Sequence, residues 1–229
     1  MHLIRHSAPK GWPISRSERR FTTRPSPGPH KLDQCITLNL LIKEILNQSE
    51  TTRETKNLLH QGHFLIDKRK VQNHKFPVGI FDIIEMPKLK QAHRVFQKKD
   101  GSFITRPIKS EDSSIKPCKV VGKTILKKGK IQLNLFDGKN RLTENKDIKV
   151  NDSILLDLEK DKISSHLKFE KGAKVYITDG KYMGNIGIVE EIKEEKNNSR
   201  VILKIGKDKV ETTTDYAFVI GKMEIPNEK

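Results

Sequence analysis

The sequence predicts an α+β protein assembled from several small modules. Three observations lead there. Hydrophobic residues make up only 34% of the 229 positions and aromatics 6%, which is thin for one large core and suits several small ones. Helical spacing of apolar residues is confined to one short region, and much of the remainder alternates with a period of two. Prolines punctuate a basic start. In order, the modules are a basic N-terminal arm (1–36), a helical hairpin on a small sheet (37–92), a central small β-barrel or sandwich (93–168) and a C-terminal β unit with a short tail (169–229).

The arm carries Arg5, Lys10, Arg16, Arg19, Arg20, Arg24 and Lys31 against a single acid, Glu18. Pro9, Pro13, Pro25, Pro27 and Pro29 exclude long helices and sheet interiors, because proline lacks the N–H both need. Such a segment has little apolar surface of its own, so it is expected to order against a partner. Trp12 and Phe21 favour docking, since aromatics stack on bases or seat an arm on the body.

Leu38, Leu41, Ile42, Ile45 and Leu46 follow helical spacing and end at Asn47 and Ser49. Thr51 with Glu54 three residues on forms a capping box that starts a second helix, and Gly62 ends it. Arg53, Lys56 and His60 then share one face, while Leu58 and Leu59 turn to the core. Phe64–Ile66 reads as a strand, residues 67–70 as a basic turn holding Lys68, Arg69 and Lys70, and Phe76–Glu85 as further extended chain that follows Lys75. Residues 119–126 and 130–136 read as strands. Ile131, Leu133 and Leu135 alternate with Lys130, Gln132 and Asn134, so one face is buried and one is wet. Asp137-Gly138 signals a turn, and residues 150–158 add another strand pair or an edge strand. Lys123, Lys127, Lys128 and Lys130 form a rim suited to a phosphate backbone. In the last unit, strands are expected at 171–177 and 187–189 around the turn Gly180-Lys181-Tyr182-Met183-Gly184, which can present Lys181 and Tyr182.

The net charge is +16, which points to a polyanion partner, nucleic acid or an anionic membrane. Residues 1–99 hold 19 Lys/Arg and 8 Asp/Glu, so the main electrostatic footprint is expected in the N-terminal part. No run of about 18 apolar residues exists to cross a bilayer, and the first ten residues lack the apolar core of a secretory signal. A cytoplasmic protein with reduced Cys35 and Cys118 is expected. No metal is expected: His2 with His6, or His60 with His63, completes no four-ligand set. Glu190-Glu191 and Glu194-Glu195 flank a turn signal at Asn197-Asn198 and read as a solvated hairpin. Neither a phosphate-binding loop nor a nucleophile elbow is present, so no cofactor, no small-molecule substrate and no catalytic residue are expected.

The run from Thr51 to Lys56 and on through Gly62-His63-Phe64-Leu65-Ile66-Asp67 resembles the S-four RNA-binding module, whose second helix gives basic residues to phosphates; Arg53 and Lys56 match those positions. Residues 171–189 resemble a KOW motif, which the resemblance places in an SH3-like barrel. Asp179 departs from the glycine common before Gly180. A basic arm, an S-four-like module, a β-domain and a KOW unit, in that order, resemble the S-four-e family of small-ribosomal-subunit proteins over essentially the whole chain. His2-Leu3, Ala8 to Trp12, Arg24-Pro25-Ser26-Pro27-Gly28-Pro29-His30-Lys31-Leu32, Phe76-Pro77-Val78-Gly79, Asp82-Ile83-Ile84 and Phe218 to Lys222 carry the resemblance. The chain stops at Lys229, where eukaryotic members continue, so the archaeal type is expected. The resemblance implies a structural protein bound to small-subunit ribosomal RNA beside neighbouring ribosomal proteins. An RNA-modifying enzyme bearing an S-four module and a KOW-bearing transcription regulator are the alternatives.

Overall fold

The computed structural model describes residues 2–109, 111–193, 199–206 and 208–221. The expected turn around Asn197-Asn198 and Lys222 lie outside the described residues, as does the side chain of Lys128. The chain is mostly β, with few helices and several sheets. It divides into two compact units: Met1–Lys116 with Asp137–Lys139 and Asp157–Lys162, and Pro117–Phe136 with Asn140–Leu156 and Ile163–Lys229.

The first unit is built on a five-stranded sheet in the order Arg69–Lys70, Leu65–Ile66, Ile83–Met86, Gln91–Gln97 and Phe103–Ile108. The strand Gln91–Gln97 crosses the expected module boundary at 92/93, and the Phe103–Ile108 strand that pairs with it joins the same sheet. The reason is local: a tight connection through Pro87–Leu89 and left-handed Lys90 folds this strand straight back on Ile83–Met86. The expected basic turn is shorter than four residues. Asp67 and Lys68 both have positive φ, 49° and 63°, and Ile66 pairs with Arg69. This is a two-residue hairpin, whose positive-φ turn matches the right-handed twist of the flanking strands. Arg69 and Lys70 are therefore strand residues.

The helical hairpin covers one part of this unit. Its first arm is a single α-turn, Leu38–Leu40, continued by a π-helical stretch, Leu41–Ile45. Its second arm is Thr52–His60, and the Thr51–Glu54 capping box is formed in both directions. Leu38, Leu41, Ile42 and Leu59 are fully buried, whereas Leu58 is only half-buried. The core residue of the second arm is thus Leu59, one position on from a residue that straddles the boundary.

The arm is not an anchorless tail. Strands Leu3–Ile4 and Phe21–Thr22 pair antiparallel, Leu3, Ala8 and Trp12 are buried, and the Trp12 indole Nε1 donates to the Cys35 carbonyl at 2.7 Å. One tryptophan supplies enough apolar area to seat a polar segment, which corrects the expectation that the arm orders only on a partner. Two of the runs that carry the resemblance, residues 24–32 and 76–79, pack on each other. Gly28 lies under Pro77, and Gly79 lies under the His30 ring, where an added Cβ would come within 2.5 Å. Only glycine admits that approach.

The second unit holds two further five-stranded sheets. One runs Asn140–Thr143, Ile131–Leu135, Ile115–Ile125, Ser153–Asp157 and Lys162–Leu167, over a core that includes Val120, Ile131, Leu133, Leu135, Ile148 and Ile154. The other runs Asp208–Thr213, Arg200–Ile205, Ile186–Lys193, Lys174–Ile177 and Ala217–Val219, over Val175, Ile177, Val189, Val201, Leu203 and Val219. The predicted alternation holds along Ile131–Leu135, where every second residue is buried.

Candidate nucleic-acid interface

The basic residues of the arm separate into two kinds. Arg5 is buried; its Nη1 donates to the Ser15 carbonyl and pairs with Glu18 at 3.2 Å. Arg16 donates to the carbonyls of Arg5, Ala8 and Pro9, each at 3.0 Å. These two guanidiniums strap the arm's backbone, using five fixed donors where a polar turn has orphan carbonyls. Trp12 is core, as described. The His30 side chain is buried against Asp82 at 3.0 Å. Arg5, Trp12 and His30 are thus not surface contacts: the first satisfies backbone, the second fills volume, and the third joins a buried ion cluster. Lys10, Arg19, Arg20, Arg24 and Lys31 are exposed, with the Arg20 guanidinium 5.3 Å from the Phe21 ring centre.

That buried cluster is the densest set of charges in the first unit. Lys116 Nζ reaches Asp67 at 2.7 Å, Asp82 at 2.5 Å and Asp137 at 3.4 Å, and Lys139 also meets Asp67 at 3.0 Å. Asp82 further accepts from the Gly79 N–H at 2.8 Å. Burial alone raises a carboxyl pKa, yet Asp82 is held well below the usual aspartate range by Lys116 and His30. Asp137 is also lowered: burial opposes ionisation, but Lys116 and Lys139 outweigh it. Depressed values suit permanent ion pairs and are the reverse of what a general acid or base near neutral pH needs.

The exposed cations gather around the hairpin. Arg53, Lys56 and His60 are all exposed along one side of Thr52–His60. Arg53 is the second residue of that helix, where a positive charge opposes the helix dipole. Beside this stripe is a cavity of about 240 Å³ lined by Arg5, Arg19, Arg24, Lys43, Lys75, His2 and His74, together with Phe21 and Asn39, and by no carboxylate. His74 is held below its ordinary pKa by burial, then by Lys56 and Lys75, so the stripe and the cavity share one positive field. Lys43, His74 and Asn39 escaped sequence reasoning, which names His2 only in a rejected metal pair and in the family resemblance. The arm and the hairpin meet only in three dimensions, and a lone lysine on an amphipathic helix gives no signal of its own.

Elsewhere the basic candidates differ in availability. Arg69, Lys70 and Lys75 are exposed. Lys68 is engaged by Glu85 at 2.8 Å and Glu159 at 3.3 Å. In the second unit Lys123 donates to the carbonyls of Lys146 and Ile148, both at 2.8 Å, while Lys127 and Lys130 are exposed. Lys181 is exposed with its Nζ 5.5 Å from the Tyr182 ring centre, and Tyr182 is half-buried against the C-terminal core. The Asp179 carboxylate accepts from the Gly180 N–H at 2.7 Å, so it braces its own turn. Among the described residues no group of three or more His, Cys, Asp or Glu could hold a metal ion, and no helix is long and apolar enough to cross a membrane.

The class defined by these features is a mostly β, strongly basic protein with many of its exposed cations on a seated arm and a short helical hairpin. Comparison with known proteins narrows it. Residues 89–163 match the model of Ribosomal family S4e, residues 1–33 the RS4NT (NUC023) domain, and residues 171–204 the KOW motif. A small ribosomal subunit protein eS4 from Methanosphaera stadtmanae is 38% identical over 96% of this chain and 92% of its own length. The protein of that name from Archaeoglobus fulgidus is 38% identical over 98% of this chain and 94% of its own. A crystal structure of the 30S ribosomal protein S4e from Thermoplasma acidophilum superposes with a TM-score of 0.72 at 31% identity, covering 82% of this chain and 96% of that one. The chain belongs to the S4e family of ribosomal proteins.

Proposed function

We propose that this chain is a non-catalytic structural constituent of the small ribosomal subunit, binding ribosomal RNA and neighbouring ribosomal proteins in the cytoplasm. The observation that carries the reading is the carboxylate-free basic cavity adjoining the Arg53–Lys56–His60 stripe. Its meaning is set by family membership and by a net charge of +16. In this reading the hairpin and its sheet act as an S-four-like module, Ile115–Leu167 as a central β-domain, and the C-terminal sheet as an SH3-like KOW barrel. Lys10, Arg19, Arg20, Arg24, Lys31, Arg53, Lys56, His60, Arg69, Lys70 and Lys75 are the primary phosphate contacts. Lys127, Lys130 and Lys181 are contacts of the second unit.

The mechanism is positional. Each lysine or arginine that meets a phosphate releases condensed counterions, and this supplies most of the affinity. Modules that touch separate RNA helices fix where those helices lie. The non-catalytic reading is supported by the depressed Asp82 and Asp137 and by the lysines that neutralise them. Sedimentation of a cell lysate through a sucrose gradient tests the function. The protein should travel with small subunits at near-stoichiometric amount and stay with them through a moderate salt wash. Its presence mainly in light fractions, or with RNA polymerase, would overturn the proposal.

A further inference from the structure

The amide of Asn39 lies at the floor of the basic cavity. The residue is 2% exposed, and its Nδ2 donates to Thr23 Oγ1 at 2.8 Å and to Thr52 Oγ1 at 3.3 Å. Those two bonds tie the arm to the start of the second helix and fix the orientation of the amide. Its Oδ1 is buried and has no partner. Thr22 Oγ1, which lines the same cavity, is likewise buried and unpartnered. A buried acceptor left unmatched is costly, and a bound ligand that supplies the donor is one way in which it persists. Asn39 and Thr22 both line a cavity whose other lining residues include Arg19, Lys43 and Lys75 and no acid. Lys43 follows Asn39 by four residues on the same helical arm.

A ligand that fits must offer a negative group to the rim and, close by, a hydroxyl or amine donor to the floor. A deoxyribose phosphate offers no donor on the sugar. A ribose phosphate offers both, because the 2′-hydroxyl is a donor beside the backbone phosphate, and that group is what distinguishes RNA from DNA at a given site. We infer that this cavity holds one sugar–phosphate unit of RNA, with the phosphate on Lys43 and Lys75 and the 2′-hydroxyl donating to Asn39 Oδ1. The inference rests on the RNA-binding reading above and adds to it a position at which ribose is selected.

The test needs no change at Asn39, whose replacement would also remove the two bonds that hold the arm. Fluorescence anisotropy on the full chain would compare three short single-stranded uridine oligomers of one length: ribose, 2′-deoxyribose and 2′-O-methylribose. The methyl ether keeps the oxygen as an acceptor and removes the donor. Ribose should bind roughly tenfold more tightly than either of the others, the worth of satisfying one buried acceptor. Lys43→Ala should weaken ribose binding and collapse the preference, placing it in this cavity. Equal binding of ribose and 2′-O-methyl oligomers would overturn the inference and leave RNA binding intact. So would an unchanged preference in Lys43→Ala. Failure of all three oligomers and of structured small-subunit RNA to bind would overturn the RNA-binding reading itself.

Discussion

Reversal of two charges on the hairpin should separate folding from binding. Arg53 and Lys56 are exposed, and neither is within hydrogen-bonding reach of an acid among the described ion pairs. Exposed substitutions away from caps and cores shift stability by about 0.5 kcal/mol. For Arg53 the sign is also predictable. It occupies the second helical position after the Thr51 cap, so Arg53→Glu replaces a dipole-opposed charge with a dipole-matched one and should stabilise the helix by about 0.3–1 kcal/mol. The double variant R53E/K56E should therefore melt at or slightly above the parent temperature. Binding should move the other way. Losing two phosphate contacts removes about 1.4–1.8 from the slope of log K against log salt, at roughly 0.7–0.9 per contact, and the new negative charges repel RNA further. The control is Leu59→Ala. Leu59 is fully buried, and its truncation should cost about 2–5 kcal/mol through lost transfer energy and a cavity. Thermal melts by circular dichroism and RNA titrations at several salt concentrations give both readouts. A double variant that unfolds like Leu59→Ala, or that keeps the parent's affinity and salt slope, would refute the assignment of this face.

The buried cluster gives two further expectations. Lys116→Met leaves Asp67, Asp82 and Asp137 without their shared cation, and breaking a buried pair in this way should cost about 3–5 kcal/mol, read as a large fall in melting temperature. In the parent protein the depressed Asp82 and Asp137 contribute stability that is complete above the ordinary aspartate value of 3.8 and is lost as pH falls through their lower folded values; melts that do not fall between neutral pH and about pH 3 would contradict it. Gly79→Ala places a methyl group against the buried His30 ring and should cost about 1–3 kcal/mol by overpacking, measured by denaturant unfolding, with a neutral result excluding that packing. Trp12 is the single tryptophan and is buried on the first unit, so its emission should be blue-shifted in the protein without RNA and shift red on unfolding; a solvent-like spectrum at the start would mean that the arm is not seated.

Much of this molecule was legible as sequence because it depends on neighbours in the chain. The Thr51–Glu54 capping box is a local exchange of hydrogen bonds, and the stripe of Arg53, Lys56 and His60 follows from helical pitch alone. The alternation of Ile131, Leu133 and Leu135 follows from the pleat of a strand. The net charge of +16 set the chemical class of partner without any fold, since counterion release depends on charge and little else. What only tertiary structure decided is which charges are free. Arg5, His30 and Lys68 look like Arg20, Lys31 and Lys70 in sequence. They differ because the first three meet Glu18, Asp82 and Glu85 across long sequence separations. Likewise Trp12 became core because Cys35 lies opposite it, and the cavity around Asn39 exists because the arm folds back on the hairpin. Spacing reports the face of one element; it cannot report which element covers that face, because the covering residues come from elsewhere in the chain.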